Sequence, residues 1–110
     1  MKNKRALVIA LGRFGTSLVD ELFDTSVEIA VIDKSAAAVD ALKDRVSAAF
    51  VADGSDPGVL ESVGAREMDV AVVTYGEDFE ATVLAVATLA QMKVPAIMAR
   101  AATERQASVL

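Results

Sequence analysis

Five short, nearly unbroken apolar runs, each followed by a helical pattern, leave this chain few ways to fold. The runs are RALVIA at 5–10, VEIAVI at 27–32, AAFVA at 48–52, DVAVVT at 69–74 and AIMA at 96–99. A strand that is apolar on both faces must be covered on both faces, which is the situation of a parallel sheet between two layers of helix. Right-handed crossovers then confine the topology to a doubly wound sheet. The spacing predicts helices over 14–24, 36 to about 45, 57–63 and 78–92, with Ser35 or Asp33 as a cap and Pro57 at a first helical position. In the first helix Phe14, Leu18, Val19 and Leu22 fall on one face. Gly64 ends the third helix, and Lys93–Val94–Pro95 ends the fourth. From Thr103 another helix begins and breaks off. The expectation is an α/β sheet of five strands truncated before a sixth, in a chain cut from something longer or completed by a partner.

The 110 residues suffice for one small domain, 1–110, with a modest core. That core is aliphatic: 54% of residues are apolar and only 5% aromatic. No run reaches the roughly 18 to 20 apolar residues of a membrane span. The basic start MKNKR leads directly into a strand, which predicts a soluble, cytosolic protein without a secretory leader. There is no Cys and no His, so thiol chemistry and the commonest general base and metal ligand are excluded. The net charge of −5 argues against nucleic acid as a partner.

The first strand runs into Ala10-Leu11-Gly12-Arg13-Phe14-Gly15. A strand, a glycine turn and a helix in that order form the context in which backbone N–H groups hold a nucleotide pyrophosphate. Gly12 lets the backbone approach the phosphates, and Gly15 lets the first helix lie close to the sheet. Ala10 stands where the fingerprint has its first glycine. Asp33 closes the second apolar run, 21 positions after Gly12. An acidic residue roughly 20 positions on accepts hydrogen bonds from a ribose. Such a residue repels a 2′-phosphate, although the adjacent Lys34 softens that argument. Arg13 is either a phosphate contact or a solvated cation.

Three more groups fall on the same carboxyl edge of the sheet, where open α/β sheets bind ligands. Asp53, Gly54 and Ser55 follow the third strand, and either recognise a nucleoside or form a turn and cap. Thr74, Gly76 and Glu77 follow the fourth, and Arg100 ends the fifth. Phe14 and Lys34 complete the candidate site. No catalytic constellation is present: there is no G-x-S-x-G, no HExxH and no Walker lysine motif. The helix expected at 78–92 is apolar in nearly every direction, which predicts a second subunit packed on it.

These residues resemble the N-terminal, nucleotide-binding half of RCK domains, the TrkA-N type of Trk and Ktr potassium-uptake regulators. The resemblance rests on L-G-R-F-G at 11–15, V-I-D at 31–33, A-D-G-S-D with L-E-S-V-G-A, V-V-T-Y-G-E-D-F-E at 72–80 and V-P-A-I-M-A-R-A at 94–101. It implies a Rossmann-like fold and an adenine nucleotide, NAD(H) or ATP/ADP, with AMP also compatible. It implies that Arg13 contacts phosphates, Asp33 the ribose, Asp53 and Ser55 the adenosine end, that Glu77 lies near the phosphates, and that Arg100 lies near a dimer interface. It further implies a homodimer through 78–92, held in the cytoplasm at the inner face of the membrane by a potassium channel or transporter subunit. The function so implied is regulatory rather than catalytic. The other readings are the cofactor half of an NAD-dependent oxidoreductase and a dimerisation scaffold with a decayed pocket.

Overall fold

The computed structural model describes residues 4–23, 25–75 and 78–99. Five parallel strands form one sheet in the order β3-β2-β1-β4-β5: β1 Arg5–Ile9, β2 Glu28–Asp33, β3 Ala48–Val51, β4 Val70–Val73 and β5 Ala96–Ala99. Ile9 pairs with Ile32 on one side and Val73 on the other, so the ends of β1, β2 and β4 lie level at one edge. The chain steps outward from β1 to β2 and β3, then returns past β1 to β4 and β5. The reversal places a topological switch point between β1 and β4, which is where such sheets open a cleft.

The strand pattern explains the two layers. Leu7, Ile9, Ala30, Ile32, Ala71 and Val73 point to one face and meet Leu60, Ala85 and Leu89 from α3 (Pro57–Ser62) and α4 (Phe79–Gln91). Val8, Ile29 and Val31 point to the other and meet Val19, Val39 and Leu42 from α1 (Gly12–Leu22) and α2 (Ala36–Leu42). Adjacent residues of β1 thus belong to opposite cores, as period-two alternation requires. Leu7, Val8, Ile9 and Val31 have no exposed surface. Each such side chain contributes about 2 kcal/mol on burial.

The expected doubly wound parallel sheet is present, with several boundaries moved. β1 ends at Ile9, because Ala10 turns to φ 66° and leaves strand geometry. α1 begins at Gly12, two residues earlier than expected, and β2 continues through Asp33. α2 stops at Leu42 and gives way to a 3-10 turn, Lys43–Arg45. Phe14 does not share the inward face of α1: it is exposed, while Gly15 and Val19 are buried. The face that meets the sheet runs through Gly15, and Phe14 lies one residue off that line, a rotation of about 100°. Gly64, with φ 81°, follows α3, and Lys93, with φ 62°, follows α4, as the sequence indicated.

Candidate functional site

Four helices start at or near the carboxyl edge of the strands, and their beginnings differ. Ser35 caps α2 by accepting from the Ala38 N–H at 3.2 Å. Asp56 caps α3 by accepting from the Gly58 N–H at 2.8 Å, with Pro57 at the first helical position. Asp78 caps α4 by accepting from the Ala81 N–H at 3.0 Å. At α1 the cap position is Leu11, whose buried side chain has no acceptor to offer. No side-chain cap from Leu11 therefore closes the positive end of the α1 dipole, the condition for an anion site.

The turn that leads into α1 is held from three directions. The Ala10 N–H donates to the Ile32 carbonyl at 2.8 Å. The Thr74 hydroxyl donates to the Ala10 carbonyl and lies 3.2 Å from that of Ile9. The Leu11 N–H donates to Asp33 Oδ2 at 2.7 Å, while Asp33 Oδ1 accepts from the Ser35 N–H at 2.8 Å. Asp33 is thus a strut between the end of β2 and the glycine turn, and its carboxylate borders the cleft. Ser35, not Asp33, is the helix cap. Gly15 packs as expected: a Cβ there would lie 3.1 Å from both the Ala10 carbonyl and the Thr74 hydroxyl. Gly12 meets nothing within 4 Å at its Cβ position, but its φ of +27° requires a glycine.

These elements enclose a cleft of about 340 Å³ bordered by Ala10, Gly12, Asp33, Thr74, Tyr75 and Asp78. That volume is in the range of small-molecule sites. Arg13 lies on the first turn of α1 and faces a shallower neighbouring hollow with Thr16, Ser17 and Ala38, not the interior of the cleft. Among the described residues no salt bridge engages it. Phe14 is exposed beside it.

The β3 turn forms the other wall. Asp53 Oδ1 accepts from the Ser55 N–H at 2.9 Å and the Ser55 hydroxyl at 2.7 Å. The Ser55 hydroxyl, then its backbone N–H, hold the Asp53 carboxyl below its ordinary value, with Lys34 adding to this and partial burial opposing it. Lys34 Nζ lies 4.0 Å from Asp53 Oδ2, and both side chains reach solvent. Gly54 is buried: a Cβ there would lie 2.4 Å from Ile9 Cγ2 and 3.1 Å from the Tyr75 hydroxyl. Close packing, not turn chemistry, demands this glycine.

Tyr75 is a site residue that the sequence reasoning missed. Its only signal is an aromatic directly after the apolar run of β4. The phenol is half-buried and its pKa is pushed up to about 12, by burial first and by the Asp53 charge second, against an opposing hydrogen bond from Ser55. The cleft therefore unites Gly12, Asp33, Lys34 and Thr74 with Tyr75, while Asp53 and Ser55 border an adjoining hollow. Gly76, Glu77 and Arg100 lie outside the described residues. Among the described residues no cluster of acidic side chains has metal-ligand geometry, and no helix is long and apolar enough to cross a membrane.

A parallel 3-2-1-4-5 sheet with a glycine turn, an uncapped first helix and an acid closing β2 defines the class of Rossmann-like domains. Within that class the chain belongs to the TrkA-N domain family, whose model matches residues 6–110. It is homologous to the Ktr system potassium uptake proteins of Bacillus subtilis (strain 168). It is 32% identical to protein C over 107 residues, which are 97% of this chain and 48% of that protein. It is 31% identical to protein A over 101 residues, 92% of this chain and 46% of that protein. The chain thus spans about half the length of these relatives. Among solved structures, the TrkA-N domain of inner membrane protein ybaL from Escherichia coli superposes with a TM-score of 0.82 at 22% identity, covering 98% of this chain and 79% of that one. A Shewanella denitrificans Kef CTD in AMP-bound form gives 0.77 at 21% identity, covering 94% and 63%.

Proposed function

We propose that this chain is a non-catalytic module that binds an adenine nucleotide and regulates a potassium uptake system or channel. The observation that carries the reading is the combination at the switch point: an α1 N-terminus without a side-chain cap, beside a cleft bordered by Asp33, whose carboxylate accepts from the Leu11 N–H at the helix start. The helix end suits phosphate, and the carboxylate suits the ribose hydroxyls of NAD(H), ATP, ADP or AMP. The AMP-bound Kef relative and the Ktr relatives support the ligand class and the potassium setting. The partner is then a membrane potassium channel or transporter subunit, which holds the module at the cytoplasmic face. Arg13, which borders the neighbouring hollow, is proposed to pair with phosphate oxygens, and Gly76, Glu77 and Arg100 are proposed contacts from the resemblance.

The module acts as a homodimer through α4. Val83 and Leu84 are exposed on that helix at 41% and 49%, although its opposite side, with Ala85 and Leu89, is in the core. Apolar side chains exposed together on one helix suit a partner surface. Nucleotide regulates by binding one arrangement of the dimer better than another, because a ligand with equal affinity for both shifts nothing.

The test is a thermal-shift titration with NAD+, NADH, ATP, ADP and AMP. A nucleotide that binds the folded chain raises Tm with the logarithm of its concentration, by about 2.7 kcal/mol of added stability at a hundredfold excess over Kd. Absence of any shift at millimolar nucleotide overturns the reading.

A further inference from the structure

Both peptide planes beside Ala10 are pinned by hydrogen bonds. In the plane before it, the Ile9 carbonyl accepts from the Thr74 N–H at 2.9 Å and the Ala10 N–H donates to the Ile32 carbonyl at 2.8 Å. In the plane after it, the Ala10 carbonyl accepts from the Thr74 hydroxyl and the Leu11 N–H donates to Asp33 Oδ2 at 2.7 Å. With both planes fixed, the angles between them are fixed too, and φ at Ala10 is 66°. That is the left-handed region, which glycine enters freely and alanine does not. The nucleotide fingerprint has a glycine at this place. This chain reaches the turn with an alanine held on both sides, and Thr74 takes part on each side. Thr74 directly follows β4 and is only 7% exposed. Its hydroxyl has one proton, which the carbonyls of Ala10 and Ile9 engage, so no donor remains for a ligand. The same oxygen lies against α1, since a Cβ at Gly15 would come within 3.1 Å of it. One buried side chain thus touches the end of β1, the turn and the first turn of the helix.

We propose that Thr74 is a positioning residue for the nucleotide. Its hydroxyl supplies the hold that a glycine in place of Ala10 would make unnecessary, and so keeps the start of α1 in the arrangement that a phosphate can use. This deepens the nucleotide reading and rests on it. Without the hydroxyl, the Ala10 carbonyl loses its partner and the alanine relaxes toward the angles it prefers. The turn then divides between competent and incompetent arrangements, and apparent affinity falls by the fraction that stays competent. With glycine at that position the same loss matters less, because the left-handed angles are populated without help. The role is therefore a coupling between Ala10 and Thr74, which a direct contact between Thr74 and the ligand does not produce.

The test is a double-mutant cycle read by calorimetric titration with AMP. Thr74→Val is expected to weaken AMP about tenfold, the effect of one lost hydrogen bond at a buried carbonyl. In the Ala10→Gly background the same change is expected to cost only about twofold. Thr74→Ser retains the hydroxyl and is expected to restore most of the affinity. Thr74→Ala removes the hydroxyl without setting a methyl against the Ala10 carbonyl, and is expected to give the same cycle should Thr74→Val fail to fold. Amide hydrogen exchange without nucleotide is the second readout. Protection of the Leu11 N–H, which is bonded to Asp33, is expected to fall in Thr74→Val and to return when Ala10→Gly is added. If Thr74→Val binds AMP as wild type does, or loses the same factor in both backgrounds, the positioning role is overturned while the nucleotide reading stands. If wild type binds no adenine nucleotide by calorimetry, both fall together.

Discussion

The turn from β1 into α1 and the turn from β3 into α3 solve the same geometric problem in opposite ways. The β3 turn is closed on itself. Asp53 holds Ser55, Asp56 caps α3, Pro57 needs no N–H partner, and Gly54 is wedged against Ile9. The β1 turn is held by neighbours from β2 and β4, through Asp33, Ile32 and Thr74, while its own helix starts without a cap. One turn is built for stability, with its donors satisfied locally. The other is fixed from outside, which on the proposed function leaves the start of α1 preorganised for a ligand. The departure of Ala10 belongs to this contrast. An alanine at φ 66° carries strain of about 1 kcal/mol that a glycine would not, and it sits in the turn that is held by its neighbours.

The largest expected effect breaks the closed turn. Gly54→Ala forces a Cβ into Ile9 Cγ2 and is expected to cost about 3 kcal/mol, read as a lower urea midpoint at unchanged m-value. Next, Asp33→Ala leaves the Leu11 and Ser35 N–H groups without their acceptor, at a cost of about 2 kcal/mol, and abolishes the thermal shift by nucleotide. Asp56→Ala sharpens the contrast, because it removes a cap of about 1 kcal/mol and leaves the nucleotide shift intact. If both variants lose the shift equally, the division of labour between the turns is wrong. Ala10→Gly is expected to gain about 1 kcal/mol, a Tm several degrees higher, without loss of nucleotide binding.

Titration gives the most local effects. The raised Tyr75 pKa means that the unfolded phenol, near 10.0, ionises before the folded one, near 12. Stability therefore declines as pH rises from about 10 toward 12, and the phenolate absorbance of this single tyrosine should show its midpoint near the upper value. Asp53 has the opposite sign. Its folded pKa is lowered, so its contribution is present above the ordinary value of 3.8 and is lost as pH falls through the folded one. In Ser55→Ala the lowering of the Asp53 pKa shrinks to what the backbone N–H and Lys34 supply, and the Tyr75 pKa rises further.

Much of the fold was legible because its strands are buried on both faces and alternate with helices, a pattern that few architectures satisfy. Gly12, Gly15 and Asp33 were legible because a strand–turn–helix with a distal acid is a local pattern. The boundaries of α1 were not. Its start depends on Leu11 being buried against Val19 and Val31, a tertiary fact that a cap-based argument cannot register. The bond from Leu11 to Asp33 spans 22 residues and has no periodic signature. Nor does Tyr75, whose position follows from the packing of Gly54 against Ile9. Gly54 itself was noticed for turn chemistry, and its stronger constraint is steric. The outward position of Phe14 reflects the phase of α1, set by the close approach of Gly15 to the Ala10 carbonyl.

The central claim is that the open helix start, and not the capped ones, receives the nucleotide. Backbone amide chemical shifts in a nitrogen-15 spectrum, followed during AMP titration, test it most directly. The account predicts saturable shifts concentrated at Leu11, Gly12 and Arg13 and at Lys34 and Ser35, with the Gly58 and Ala81 amides at the capped starts of α3 and α4 much less affected. Shifts of equal size at all four helix starts, or none at Gly12 and Arg13 while AMP binds, would contradict it.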